Sequence, residues 1–380
     1  MFSKLLSGLM LLANTLTAIF FLICSYASYL HPKDWWFTGF LGLFFPYLFV
    51  LLIAFFVFWL FVRRRFAVVS LVVLLAAIPA IQLHVGWHVA APSEKAKSTE
   101  AHQLRLMDWN VRHFIPFEEN GFKPGRDRHD ESVLSVIKTH EPDVICFQEF
   151  LTMPKSGEKD PLQVLKKLGY RYQQFAGEDI FGTGQYSGIA LFSKYPVLNG
   201  GVIPYPVEVG DHSESSVYAD LLIDGDTVRI YSIHLRSFGF GTKEYKTIDD
   251  VRTESRSAWE SKQLLKKMRN TFYWHGIQAD FLAEKINQSP YPSIVCGDLN
   301  DVPGSYAYST IRDEYSDSFL EKGVGLGATF TSSFSFLLQK IPTLRIDYIF
   351  HDPRMETTWF KRGEERLSDH AYLVADIQIK

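Results

Sequence analysis

The 380-residue chain reads as an α/β domain preceded by a membrane-embedded helical segment. Three observations predict this. Long apolar stretches fill the first quarter, short strand-like runs recur from residue 104 onward, and helical periodicity interrupts those runs at about 128–140 and 256–288.

The apolar stretches cover about 5–30, 37–62 and 66–85. None contains an acid, Lys or Arg, and each reaches the ~20 residues that cross a bilayer. Three transmembrane helices are therefore expected. A cleaved signal peptide accounts for the first alone. Asn14, Thr15 and Thr17 are tolerable where they face a neighbouring helix, and Pro46 and Pro79 are expected to kink their helices. Arg63-Arg64-Arg65 favours the cytoplasmic side, together with Lys4, so the His31–Trp36 connection falls outside with Trp35 and Trp36 at the interface. Odd parity then puts the C-terminal domain outside the cytoplasm of a bacterial inner or plasma membrane.

The anchor is assigned to 1–89 and a mixed-charge linker to 90–103. One domain is expected from 104 to 380. Apolar β-rich runs appear at 104–109, 143–148, 188–193, 217–223, 228–234, 292–297, 345–350 and 371–378, and Asp224-Gly225-Asp226 marks a hairpin. Residues 103–380 hold 32 basic and 39 acidic side chains, a net charge of −7. The basic footprint of non-specific duplex binding is absent. Cys24, Cys146 and Cys296 show no disulfide framework or zinc spacing and read as small buried hydrophobes.

Polar groups stand at the ends of the runs. Glu149 closes Val144–Gln148, where a carboxylate is costly unless a cation or hydrogen bonds receive it. Asn110, after Asp108-Trp109, offers a neutral oxygen to the same ion. Asp298 and Asn300 are two apart and share one face of an extended segment; one suits a water, the other a phosphate oxygen. His234 ends Val228–Ile233, and His370 follows Asp369. Imidazoles suit acid–base work and charge stabilisation at a phosphate, and Asp347 is placed to fix one of them. Each alone is equally a turn or strand end. Six stretches that carry such groups, each at a strand end, point to a metal-assisted phosphoesterase site.

Trp109-Asn110, Gln148-Glu149, Gly297-Asp298-Leu299-Asn300, Arg345-Ile346-Asp347-Tyr348-Ile349 and Ser368-Asp369-His370 resemble, in order, the endonuclease/exonuclease/phosphatase superfamily over about 104–380. The resemblance implies a four-layer α/β/β/α sandwich with two packed mixed β-sheets and Mg²⁺- or Mn²⁺-dependent phosphoester hydrolysis. It implies that Asn110 and Glu149 hold the metal with Asp369 as a further ligand. Asp298 would activate or orient water, Asn300 would contact phosphate, Asp347 would pair with His370, and His234 would stabilise the phosphoryl centre. Either Asp298 or His370 can be the base. Some nucleases of the family pair the first histidine with a Glu. No such acid stands around Gln185–Gly188, which speaks against a two-dyad nuclease.

A phospholipid headgroup or small organophosphate is the preferred phosphoester substrate, because a tether raises the local concentration of lipid. Phe238-Gly239-Phe240 and Phe334-Ser335-Phe336-Leu337-Leu338 are expected at the pocket rim, either entering a bilayer interface or filling the domain's own core. The alternative is an extracytoplasmic nuclease cleaving DNA or RNA, for which Arg126, Arg128, Lys262, Lys266, Lys267 and Arg269 are the local basic groups. Those on the long helix equally suit a solvated face. A non-catalytic binding module is disfavoured by the intact residue set.

Overall fold

The computed structural model describes residues 2–88, 97, 101–115, 130–179, 182, 184–206, 215–240, 258–331, 343–363 and 367–380. Helices α1 (Phe2–Ser25) and α2 (Thr38–Val62) are each long and apolar enough to cross a bilayer. The third expected span is not one helix. It divides into α3 (Arg64–Ala76) and α4 (Ile78–His84), bent by 64°. Pro79 supplies the reason: it lacks the N–H that would bond the Leu75 carbonyl, and its ring clashes there. Pro46 lies in the first turns of an α2 that continues unbroken. The expected three spans are thus corrected to two continuous helices and a broken pair, and the first ends at Ser25 rather than Leu30. Asn14 does face a neighbour, accepting from Ser70 Oγ of α3 at 2.9 Å with both residues fully buried.

Two six-stranded sheets follow. Their strands are β2 (Gln103–Asn110), β3 (Val144–Thr152), β4 (Tyr172–Asp179), β5 (Tyr186–Ser193), β6 (Val197–Pro204), β7 (Ser215–Ile223), β8 (Asp226–His234), β9 (Ser293–Asp298), β10 (Ser316–Asp317), β12 (Asp347–His351), β13 (Met355–Arg362) and β14 (Leu373–Ile379). One sheet runs β13-β14-β2-β3-β5-β4, the other β10-β12-β9-β8-β7-β6. All neighbours are antiparallel except β2/β3 and β8/β9. Asp224 and Gly225, both at positive φ, make the β7–β8 turn that the sequence marks.

The sheets pack face to face. Leu104, Leu106, Val144 and Cys146 from one meet Val228, Ile230, Ile294 and Cys296 from the other. On the outer face of the first sheet, Met107, Ile145 and Phe147 pack on Val133 and Ile137 of α5 (Asp130–His140) and Leu165 of α6 (Pro161–Lys167). On the outer face of the second, Tyr231, Ile233 and Val295 pack on Ala279, Leu282 and Ile286 of α7 (Ala258–Asn287) and Ala307 of α8 (Tyr306–Arg312). Burial on both faces explains why the central strands read as continuous apolar runs.

The helical unit is docked on this sandwich. A two-residue strand after α4, β1 (Gly86–Trp87), pairs with β11 (Val324–Gly325). Arg345 Nη2 donates to the Leu83 carbonyl at 2.7 Å, and the Tyr47 and Thr343 hydroxyls are 3.1 Å apart. Glycines let the surfaces close. A Cβ on Gly39 would stand 2.2 Å from the Phe272 ring, and one on Gly42 would stand 2.9 Å from Val302 Cγ2.

Candidate active site

The two parallel pairs bring four strand C-termini to one edge. Asn110 lies opposite Gln148, His234 opposite Asp298, and the first residue of β12, Asp347, opposite Asp298. Alternate residues of each strand face the layer between the sheets, so its composition can be read outward. Leu106 gives way to Asp108 and Asn110, Ile230 to Ser232 and His234, Cys296 to Asp298. The candidate site is the polar end of the inner core.

Two backbone features aim the groups. Gly297 has φ +143°, and a Cβ there would stand 1.9 Å from the Ile233 carbonyl oxygen, so β8 and β9 meet only over glycine. Glu149 has φ +51° where the β3/β5 register shifts between Phe147 and Phe150. Regular pleating would send residues 148 and 149 to opposite faces. The bulge turns Glu149 back toward the site.

Asn110 Nδ2 donates to Glu149 Oε1 at 3.3 Å and to Asp298 Oδ2 at 3.1 Å, while its Oδ1 accepts from the Arg112 N–H at 3.0 Å. His370 Nδ1 lies 3.0 Å from both oxygens of Asp347. The Nε2 atoms of His370 and His234 each stand 3.7 Å from Asp298 Oδ2. No acid other than Asp298 pairs with His234 among the described residues, and its Nε2 makes no hydrogen bond there. Asn300 donates its N–H to Asp298 Oδ1 at 2.7 Å and its Nδ2 to the Leu235 carbonyl at 3.1 Å. Asp369 turns aside to Arg112 Nε, 3.3 Å away.

Burial and the Asp347 charge push Asp298 up to about 6, although His370 and His234 oppose them. Burial alone pushes His370 down, but Asp347 and Asp298 outweigh it and hold the imidazole well above its ordinary value. Burial likewise raises Glu149, yet His113, His234 and His370 prevail and leave it below the usual carboxylate range. The imidazolium on Asp347 is thereby stabilised beside a carboxylate that gives up its proton near neutrality.

Metal-type donors converge in two overlapping sets. Asp298, Asp347 and His370 offer atoms all within 4.8 Å of one another. In that set the imidazole proton already satisfies Asp347, and a cation would have to displace it. Glu149 Oε1 and Asp298 Oδ2 instead converge on the Asn110 amide nitrogen, with Glu149 partly open to solvent. The carboxylate oxygens of this second set suit a Mg²⁺- or Mn²⁺-type ion, which would displace the Asn110 N–H between them and take Asn110 as a ligand only after its Oδ1 turns from the Arg112 N–H.

Three side chains at the site escaped the sequence reading. Asp108 is fully buried beneath Asp298; Gln148 Nε2 donates to its Oδ1 at 2.9 Å, and burial and Asp347 raise it well above the usual range. Its position inside an apolar run was the available signal. Arg112 and His113 follow Asn110 in a 3₁₀ turn at positive φ, and His113 Nδ1 reaches Glu149 Oε2 at 3.3 Å. Phe238, expected at the pocket rim, packs edge-on against Phe272 and His275 of α7. Phe334–Leu338, Arg126 and Arg128 lie outside the described residues.

A two-sheet sandwich with this constellation at its strand ends defines a phosphoester-hydrolase class. Residues 109–370 match the endonuclease/exonuclease/phosphatase family, and the chain belongs to it. Residues 6–84 match a domain of unknown function. No curated protein sequence matches. The fold is similar to the crystal structure of an endonuclease/exonuclease/phosphatase from Beutenbergia cavernae DSM 12333, with 21% identity, 73% of this chain and 72% of that chain covered, and a TM-score of 0.52. The human Nocturnin catalytic domain with bound sulfate aligns at 17% identity over 74% of this chain and 96% of that one, TM-score 0.49. D. rerio TDP2 complexed with a single-strand DNA product aligns at 18% over 72% and 98%, TM-score 0.47.

Proposed function

We propose that the protein is a membrane-anchored, Mg²⁺- or Mn²⁺-dependent phosphoester hydrolase acting on a phospholipid headgroup or small organophosphate. The observation that carries this reading is Asp298 Oδ2 flanked at 3.7 Å by two imidazoles, one of them locked on Asp347. Glu149 and Asn110, with Asp298 beside them, would hold the ion; Asp369 is an outer ligand or a support through Arg112. When bound, the ion supplies Lewis-acid polarisation of a phosphoryl oxygen. Asp298, ionised, orients the attacking water and receives its proton. The charged His370 and, opposite it, His234 donate to phosphoryl oxygens, where negative charge accumulates. Asn300 keeps Asp298 in place through its N–H and presents its amide to the phosphate.

Residues 1–89 form the anchor, 90–103 the linker and 104–380 the catalytic domain in this reading. The extracytoplasmic placement is supported by contacts: the domain touches the His31–Trp36 connection and the first turns of α2, at the end opposite Arg63–Arg65. The test is the full chain in detergent with Mn²⁺, Mg²⁺ or chelator. Substrates are bis(p-nitrophenyl) phosphate, phospholipids, sphingomyelin, inositol phosphates, plasmid DNA and RNA. Metal-dependent release from the lipid or small esters supports the reading; cleavage of nucleic acid alone rejects the substrate class.

A further inference from the structure

Helix α7 crosses the outer end of the anchor with one face. Arg269 lies over the Trp36 ring at 5.3 Å, Phe272 meets Gly39 and Phe40, and Gly276 receives His31 and Pro32. Asp280 then bonds His31 Nε2 at 3.0 Å. The spacing from 269 through 272 and 276 to 280 is a single helical stripe. Its anchor partners belong to the connection after α1 or the first turns of α2, while Phe272 also meets Phe238 and Asp280 accepts from the Tyr306 hydroxyl at 2.6 Å within the catalytic domain. Counting back about 20 residues from Val62, the hydrocarbon boundary falls near Leu43, so these contacts lie at headgroup depth.

Extended toward the helix N-terminus, the same stripe passes Leu265 and Lys266 and reaches Lys262. These positions lie one and two turns beyond the last anchor contact. They are exposed, with Leu265 at 46%. Lys267, off the stripe, instead donates to the Gly239 carbonyl of the catalytic domain, so the two faces have different partners. From Ser261 to Ala279 the helix carries Lys262, Lys266, Lys267 and Arg269 and no acid, within a domain whose overall charge is negative. An exposed Leu among cations, continuing a face that rests on interfacial Trp and Phe, has the composition of a bilayer-surface helix.

We propose that Lys262, Leu265, Lys266 and Arg269 form a docking surface for the anionic headgroups of the bilayer that anchors the chain. This rests on the anchored reading and assigns the catalytic domain a fixed attitude on the membrane. The three native cysteines are buried, so a fluorophore on Leu265→Cys labels one site. The full chain is placed in phosphatidylglycerol/phosphatidylcholine vesicles. Headgroup-located quenchers are expected to quench the label at least threefold more than in phosphatidylcholine alone. Reversal of Lys262, Lys266 and Arg269 to Glu should remove that difference. A label that stays in water whatever the lipid or the charge overturns the surface. So does charge reversal that weakens oligonucleotide binding while leaving label depth unchanged, which would assign the face to nucleic acid. Extraction of the parent chain by alkaline carbonate would instead reject the anchor itself.

Discussion

Asp347→Asn removes one charge and leaves the volume of the site unchanged. In the parent, His370 Nδ1 faces both Asp347 oxygens at 3.0 Å in a buried setting. A charge-assisted hydrogen bond of that kind contributes about 1.5–3 kcal/mol. At about 1.4 kcal/mol per decade, a bond exploited in the transition state corresponds to a kcat loss of about 10- to 150-fold. The pH dependence has a defined sign. Asp347 is the leading favourable influence on the raised His370, so its charge keeps the imidazole protonated to higher pH. Without it the proton is lost at lower pH, and the alkaline limb of kcat moves toward acid. The assay is bis(p-nitrophenyl) phosphate turnover at saturating Mn²⁺ between about pH 5 and 9, beside a Mn²⁺ titration. Apparent Mn²⁺ affinity should stay within about threefold, because Asp347 serves the imidazole and not the ion. A kcat within threefold of the parent would refute the dyad. Collapse of Mn²⁺ affinity would make Asp298, Asp347 and His370 the metal centre.

Other perturbations address neighbouring parts of the account. Glu149→Ala should raise the Mn²⁺ dissociation constant at least about tenfold by calorimetry, whereas His370→Ala should keep metal binding and lose turnover. Equal turnover of His370→Ala and the parent would remove that residue from the chemistry. Gly297→Ala places a Cβ against the Ile233 carbonyl at positive φ and should destabilise the sandwich by about 3–5 kcal/mol or prevent folding, read as a thermal shift. A melting temperature like the parent's would contradict the β8/β9 packing. Glu321 accepts from Thr357 N–H at 2.9 Å and faces His351 Nε2 at 3.1 Å. Burial raises its carboxyl, but these bonds outweigh it and hold the value at about 2. Its folded value lies below the ordinary 4.5, so its stabilisation is present above that pH and is lost as pH falls toward 2. Glu321→Gln should flatten this acid limb of the melting curve.

The legible parts of the fold were those buried on both faces. β2, β3, β8 and β9 sit centrally in the sheets, and their apolar runs announce them. β4, β6, β10 and β13 are edge strands. β6 reads Val-Leu-Asn-Gly-Gly-Val-Ile-Pro with half its residues exposed, and packing alone makes it a strand. The broken third span needed weight on Pro79 that hydropathy does not give. At the site, sequence spacing put Asp298 and Asn300 on one segment. The αL turn of Glu149 and the stacking of Asp108 beneath Asp298 are products of strand register. Arg112 and His113 turn inward only because a tight 3₁₀ turn follows Asn110, and no periodicity encodes that.

The central claim is that one divalent ion is held between Glu149, Asn110 and Asp298 while the Asp347–His370 pair stays protonated beside it. Anomalous diffraction from crystals soaked in Mn²⁺ tests it most directly. The account predicts a peak about 2.1–2.4 Å from a Glu149 oxygen, with the His370 Nδ1 to Asp347 contact intact. A peak bonded to His370 and Asp347 would contradict it, as would no peak near Glu149 at saturating Mn²⁺.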